Sequence, residues 1–279
     1  MNTKRIKFAI FLSLIFTTLI PGTCVSANVN QADSYNPEKE ILEIMDEERS
    51  LYLTDLAFYR EAASKGLSFE ELLHQKAMTT YQNRVKMRTI ASVYDLGNNG
   101  NNVYTTIPLI KQTSSYNCGP TSALQALYGM KRQSSVQGNT DAEKITTLMN
   151  ECGTDKSGTM VYKMVEVLNN HSDLFDYKYT KGTSMTETEF QGKVETSLFY
   201  NMAPILHART EYLTSYYKGH RSGHYIAICE VDRVNKTIRV KDCNNNEEYY
   251  GVHVVSVTEA YQSITESKES ERYLIHMSY

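Results

Sequence analysis

From Glu38 to about Ile90 the apolar positions recur at helical spacing. Ile41, Leu42 and Met45 open the pattern, Gly66 interrupts it, and Leu72, Leu73, Ala77 and Tyr81 resume it. Ser68 and Glu71 stand three apart at the restart, the spacing of a reciprocal helix cap. The stretch 95–102, DLGNNGNN, has no period and the composition of a flexible joint, which places a boundary there. Beyond it, residues 103–110 (VYTTIPLI) predict a short strand with an edge proline. Four helices follow. The first, PTSALQALYGM, sets Ala123, Leu124 and Leu127 on one face and tolerates Pro120 in its opening turn. The second is capped by Thr140 and Glu143, and the third is marked by Val161, Met164, Val165 and Leu168. The fourth opens with Thr186 and Glu189 and spaces Phe190, Val194 and Leu198 by four. The texture then changes to short runs rich in β-formers: APILHART, HYIAICEV, KTIRVKD and RYLIHMSY. Helices first and an antiparallel sheet second predict an α+β fold.

The first 27 residues break this picture. Lys4, Arg5 and Lys7 precede an apolar run from Phe8 to Ile20, a Pro21-Gly22 break and the small residues Val25-Ser26-Ala27. This is the pattern of a secretory signal peptide, so the expected product is secreted and begins near Asn28. Removing 1–27 takes away three positive charges and no negative one, moving the formal net charge from −3 to −6. No basic stripe interleaved with aromatics is present, so no nucleic-acid partner is expected. No later stretch is apolar enough to span a membrane. The chain divides into the leader (1–27), a helical N-terminal region with its linker (28–102), and a second region (103–279). The helical region reads as an inhibitory pro-region, a partner-binding segment or a structural appendage.

Candidate chemistry narrows quickly. HExxH, GxSxG, a phosphate-binding glycine loop and CxxC are all absent, so neither a metal nor a cofactor is expected. With Cys24 in the leader, four cysteines remain: Cys118, Cys152, Cys229 and Cys243. They make two disulfides, or free thiols of which one reacts. Cys118 precedes the PTSALQALYGM helix, and Gly119 lets the chain turn there. A helix N-terminus lowers a thiol's pKa, although a buried cysteine is as often a small hydrophobe. In SGHYIAICEVD, His224 starts an apolar strand, and RVNKT turns the chain so that IRVKD returns Asp242 to within a couple of residues of it. Asp242 would then hold one ring nitrogen and aim the other at the thiol. Gln112, six residues before Cys118, is a candidate donor to an oxyanion. Taken singly, each of these has an ordinary structural explanation.

Together they resemble a family. Gln112, then Tyr116-Asn117-Cys118-Gly119-Pro120-Thr121-Ser122-Ala123 before a helix, Cys152-Gly153-Thr154 and Ser157-Gly158-Thr159 before another, Ala203-Pro204-Ile205-Leu206, and Gly223-His224-Tyr225-Ile226-Ala227-Ile228 are similar to the papain-like cysteine peptidases of the bacteriocin-processing (double-glycine) type and their stand-alone secreted relatives. The similarity covers about residues 105–279. It implies a papain-like fold acting on a peptide or protein substrate, with Cys118 as nucleophile, His224 as general base, Asp242 as orienting residue and Gln112 as oxyanion donor. In the family a proline commonly follows the orienting Asp; here Cys243 does, and Asn244 stands as an alternative third member. His220 and His207 are lesser candidates for the base. Transporter segments are missing, so cleavage after a double glycine is not implied. Transpeptidation or another acyl transfer on the same fold, and a non-catalytic peptide-binding module, are the competing functions. The tyrosines and basic residues of 208–223 are candidates for gripping a peptide.

Overall fold

The described residues begin with three helices, where the spacing predicts two divided at Gly66. The computed structural model describes residues 36–93, 101–266 and 271–279; the leader at 1–27, with Cys24, and most of the joint at 95–102 lie outside the described residues. The helices are α1 (Pro37–Tyr52), α2 (Leu56–Lys65) and α3 (Phe69–Val93). Gly66 ends α2 in the left-handed conformation, φ 65°, which favours glycine. Ser68 and Glu71 exchange both bonds of their cap: Ser68 N donates to Glu71 Oε2 (2.8 Å) and Glu71 N to Ser68 Oγ (3.2 Å). A break the periodicity missed falls at Asp55, whose carboxylate accepts the N–H groups of Ala57 and Phe58 and starts α2.

The second region follows as β1 (Asn102–Tyr104), α4 (Cys118–Gly129), α5 (Asp141–Cys152), α6 (Val161–His171), β2 (Tyr177–Lys181), α7 (Glu187–Phe199), β3 (Ile205–Arg209), α8 (Thr214–Tyr217), β4 (Gly223–Asp232), β5 (Thr237–Asp242), β6 (Gly251–Ser256), α9 (Val257–Thr265) and β7 (Tyr273–Met277). The strands form one antiparallel sheet in the order β2-β7-β3-β4-β5-β6, with β1 also paired to β4. The fold is α+β and papain-like, with its core in two layers. One face of the sheet, with Tyr225, Ala227 and Ile275, packs with α1–α6; the other, with Ile226, Ile228 and Val240, packs with α7 and α9.

Residues 37–279 form one compact unit, and α1–α3 share the first core with the sheet. Tyr52 OH donates to Tyr179 O (3.2 Å), and Asn83 Nδ2 to Ser278 O (2.6 Å). Buried Glu48 takes both Lys178 Nζ (3.0 Å) and Thr80 Oγ1 (2.8 Å), so neither buried charge is left uncompensated. The predicted strand at 103–110 shrinks to three residues. β3 pairs with residues 223–227 of β4, so β1 reaches only 230–232. The chain then crosses toward β5: Thr105 N donates to Cys229 O (2.9 Å), and Gln112 N to Cys243 O (2.7 Å). That crossing delivers Gln112 to the same end of the sheet as Asp242.

Candidate active site

Cys118 is the first residue of α4, a helix buried on nearly every side, and is itself 9 % exposed. Asn117 holds the cap position but does not use its side chain there. Its amide turns back instead, accepting from Ser114 N (3.1 Å) and donating to Thr113 Oγ1 (2.7 Å), which ties down the loop before the helix. The first N–H groups of α4 therefore remain available to an anion. Gly119 is required by close approach, because a Cβ there would lie 2.7 Å from Thr159 Oγ1. Ser122 Oγ donates to Tyr225 O (3.0 Å) and fixes α4 against β4 beside His224.

The β4–β5 hairpin supplies His224 and Asp242, and its register matters. Asp232 pairs with Thr237 and Glu230 with Arg239, but beyond an irregularity at Cys229 the pairs become Ile228–Val240 and Ala227–Lys241. The extra residue changes which side chains share a face. With it, Asp242 lies opposite Ile226, and His224 is two residues away on that same face. Without it, Asp242 would face the side of Ala227 and Tyr225. The bulge thus aligns the pair, and His224 Nε2 bonds Asp242 Oδ1 at 2.8 Å.

Asp242 is fully buried and saturated. Oδ1 also accepts Asn244 N (2.8 Å), while Oδ2 accepts the hydroxyls of Tyr216 (3.0 Å) and Tyr217 (2.8 Å). Burial pushes its carboxyl up, but His224 and these donors outweigh burial and hold it below the usual carboxylate value. Burial likewise pulls His224 down, but Asp242 and the Cys118 sulfur hold it well above the ordinary imidazole value. Burial raises the Cys118 thiol; the His224 charge and hydrogen bond, with the N–H groups of Tyr225 and Gly119, bring it below the ordinary thiol value. With Nε2 engaged by Asp242, Nδ1 is the ring nitrogen left for the sulfur. Such a pair favours thiolate and imidazolium over the neutral forms.

Gln112 is buried beside this pair. Its Oε1 and the Cys118 carbonyl each lie 3.7 Å from Cys243 Sγ, and its Nε2 reaches Asn245 Oδ1 only at 3.5 Å, long for a hydrogen bond. The structure therefore brings together all four residues singled out in the sequence. Asn244 instead donates Nδ2 to Tyr217 OH (3.0 Å) and its N–H to Asp242, so its side chain supports the carboxylate's partner. His220 is exposed, stacked 5.2 Å from Tyr249. His207 lies on β3 against Arg272 and, by burial and that guanidinium, is held well below the ordinary imidazole value. Tyr216 and Tyr217 do not grip a peptide from an open loop; they are buried under Asp242. That role carried no local signal beyond two adjacent tyrosines.

Cys118, Cys152, Cys229 and Cys243 are all free and buried. Burial pushes Cys152 to about 12 and Cys229 to about 11, so both are inert thiols. His224, Asp242 and Cys243 place ligand atoms within 4.8 Å of one another, but His224 Nε2 and Asp242 Oδ1 are already bonded to each other. No helix among the described residues is long and apolar enough to cross a membrane.

No curated protein matches the chain. A family model, the Peptidase_C39 like family, matches residues 104–269, which excludes α1–α3 and includes Gln112, Cys118, His224 and Asp242. That match spans more than half of the sequence, and the protein belongs to the Peptidase_C39 like family, of C39-type cysteine peptidases.

Proposed function

We propose that the protein is a secreted thiol peptidase that cleaves peptide bonds through Cys118, His224, Asp242 and Gln112. The Cys118 thiolate attacks the substrate carbonyl, and the new oxyanion is held by Gln112 Nε2 and the Cys118 N–H. His224, as imidazolium, gives its proton to the leaving amine as the C–N bond breaks. It then takes a proton from water, whose oxygen attacks the thioester and releases the acid and the thiolate. Asp242 keeps the ring oriented through Nε2 and balances its charge. The observation that carries this reading is His224 held at 2.8 Å by a buried carboxylate, with its other nitrogen left for a sulfur at a helix N-terminus. Secretion rests on the leader pattern of residues 1–27. The test is digestion of a peptide library by the purified protein and by its Cys118→Ala variant. Wild type cleaves, and the variant shows no measurable turnover at an unchanged melting temperature. Equal hydrolysis by the two would refute the proposal.

A further inference from the structure

One cavity adjoins the site without belonging to it. It measures about 290 Å³, and its walls come from Leu56, Ala57 and Arg60 of α2, from Thr159 to Tyr162, from His207, and from Glu271, Arg272 and Tyr273, with the Glu271 carboxylate held by Lys181 Nζ (2.7 Å). Two contacts join it to the reacting groups. Thr159 packs on Gly119, next to Cys118, and the Arg272 guanidinium packs on Gly223, next to His224, within about 3 Å of where a Cβ would stand.

Arg272 is an unusual cation in this setting. It is half-buried, and among the described residues its one side-chain hydrogen bond is from Nη1 to His207 Nε2. No described carboxylate pairs with it, and Nε is buried without a partner. The nearest candidates are engaged elsewhere. Glu271 binds Lys181 (2.7 Å), Tyr273 OH (2.6 Å) and Leu56 N (3.1 Å), and Glu211 binds Arg209 (2.8 Å). His207 is held neutral and supplies no counter-charge. Arg60, exposed at the rim, also has no carboxylate partner among the described residues. A half-buried guanidinium without a carboxylate partner among the described residues, lining a cavity near Cys118, is complementary to a carboxylate.

We infer that this cavity is a specificity pocket for a carboxylate of the substrate, held by Arg272 with Arg60 at its rim. The inference rests on the peptidase reading above. It also makes α2 part of the working enzyme, since Leu56, Ala57 and Arg60 form one wall. An acidic side chain and a free peptide C-terminus offer the same chemistry, and the test separates them.

Wild type, Arg272→Gln and Arg272→Lys are compared on two peptide libraries that differ only in Glu or Gln at one scanned position, each made with free and with amidated C-termini. Wild type favours one carboxylate-bearing set by roughly tenfold or more in kcat/KM, carried by KM, the scale of a charge-assisted hydrogen bond. Preference for Glu under an amidated terminus assigns a side chain; preference for the free terminus whatever the scanned residue assigns the C-terminus. In Arg272→Gln the preference between the charged and neutral libraries disappears, and Arg272→Lys restores part of it. A second readout, independent of turnover, is protection of Cys118 from iodoacetamide by each library: the carboxylate library protects wild type and not Arg272→Gln. Equal cleavage and equal protection by charged and neutral libraries overturn the pocket while leaving the peptidase standing. A uniform loss of kcat in Arg272→Gln, with a shifted acid limb of the pH profile, overturns it in favour of an Arg272 that serves only the thiolate. Protection by the carboxylate library without any hydrolysis supports the pocket and refutes the peptidase.

Discussion

Two histidines sit on neighbouring strands and have opposite fates. His207 on β3 pairs across from Tyr225, and Ala208 pairs across from His224 on β4. Burial disfavours the charge on both rings. What each ring meets then separates them. His224 meets Asp242 and a sulfur and is raised in spite of burial; His207 is lowered by burial, and Arg272 adds to it. A fold can thus give two histidines on neighbouring strands opposite charge preferences by the sign of the neighbour added to burial.

Exchanging that sign breaks the comparison most severely. Asp242→Ala gives His224 the surroundings of His207, burial without a carboxylate. Turnover should fall by roughly 10³–10⁴-fold, as for loss of the orienting acid in other triads. Peptide hydrolysis measures it, with circular dichroism confirming the fold. Removing one support of the carboxylate is milder. Tyr217→Phe deletes a hydrogen bond to a charged group and should lower kcat by about tenfold or less. It also lets Asp242 rise toward the usual carboxylate value. Because a depressed carboxylate stabilises the fold above its unfolded pKa and loses that contribution as pH falls through its folded pKa, acid unfolding of Tyr217→Phe should begin at higher pH than in wild type.

The smallest effect concerns stability. A histidine lowered in the folded state contributes fully above its unfolded pKa and costs stability as pH falls below it. His207→Gln removes that cost, so the variant's melting temperature should drop less than wild type's between neutral and mildly acidic pH, by about 2–4 °C. His224 has the opposite sign: its contribution is complete below the unfolded pKa and is lost as pH rises through the raised folded value.

How much of this was legible depended on whether the signal was local. Cys118 before a helix, and His224 facing Asp242 across a turn, lie within single supersecondary units, and their spacing was enough to pair them. The bulge at Cys229 was not readable. From Tyr225 to Cys229 both faces of the strand are apolar, so no charged residue there marks the register, and a one-residue slip leaves that stretch's pattern unchanged. β2 escaped notice because its Lys178 is made tolerable by Glu48, 130 positions earlier in the chain. Tyr216 and Tyr217 look like surface tyrosines until Asp242 is placed over them. Arg272 belongs to the same class: its meaning comes from the carboxylates that are spent on other partners.

The central claim, that Cys118 and His224 form a thiolate–imidazolium pair, is tested most directly by residue-resolved mass spectrometry of iodoacetamide labelling from about pH 4 to about pH 9. The predicted result is rapid labelling of Cys118 already at mildly acidic pH, with Cys152 and Cys229 untouched in the folded protein and the Cys118 rate collapsing in Asp242→Ala. A Cys118 rate that stays low until about pH 8.5 and rises like that of an ordinary thiol would contradict it.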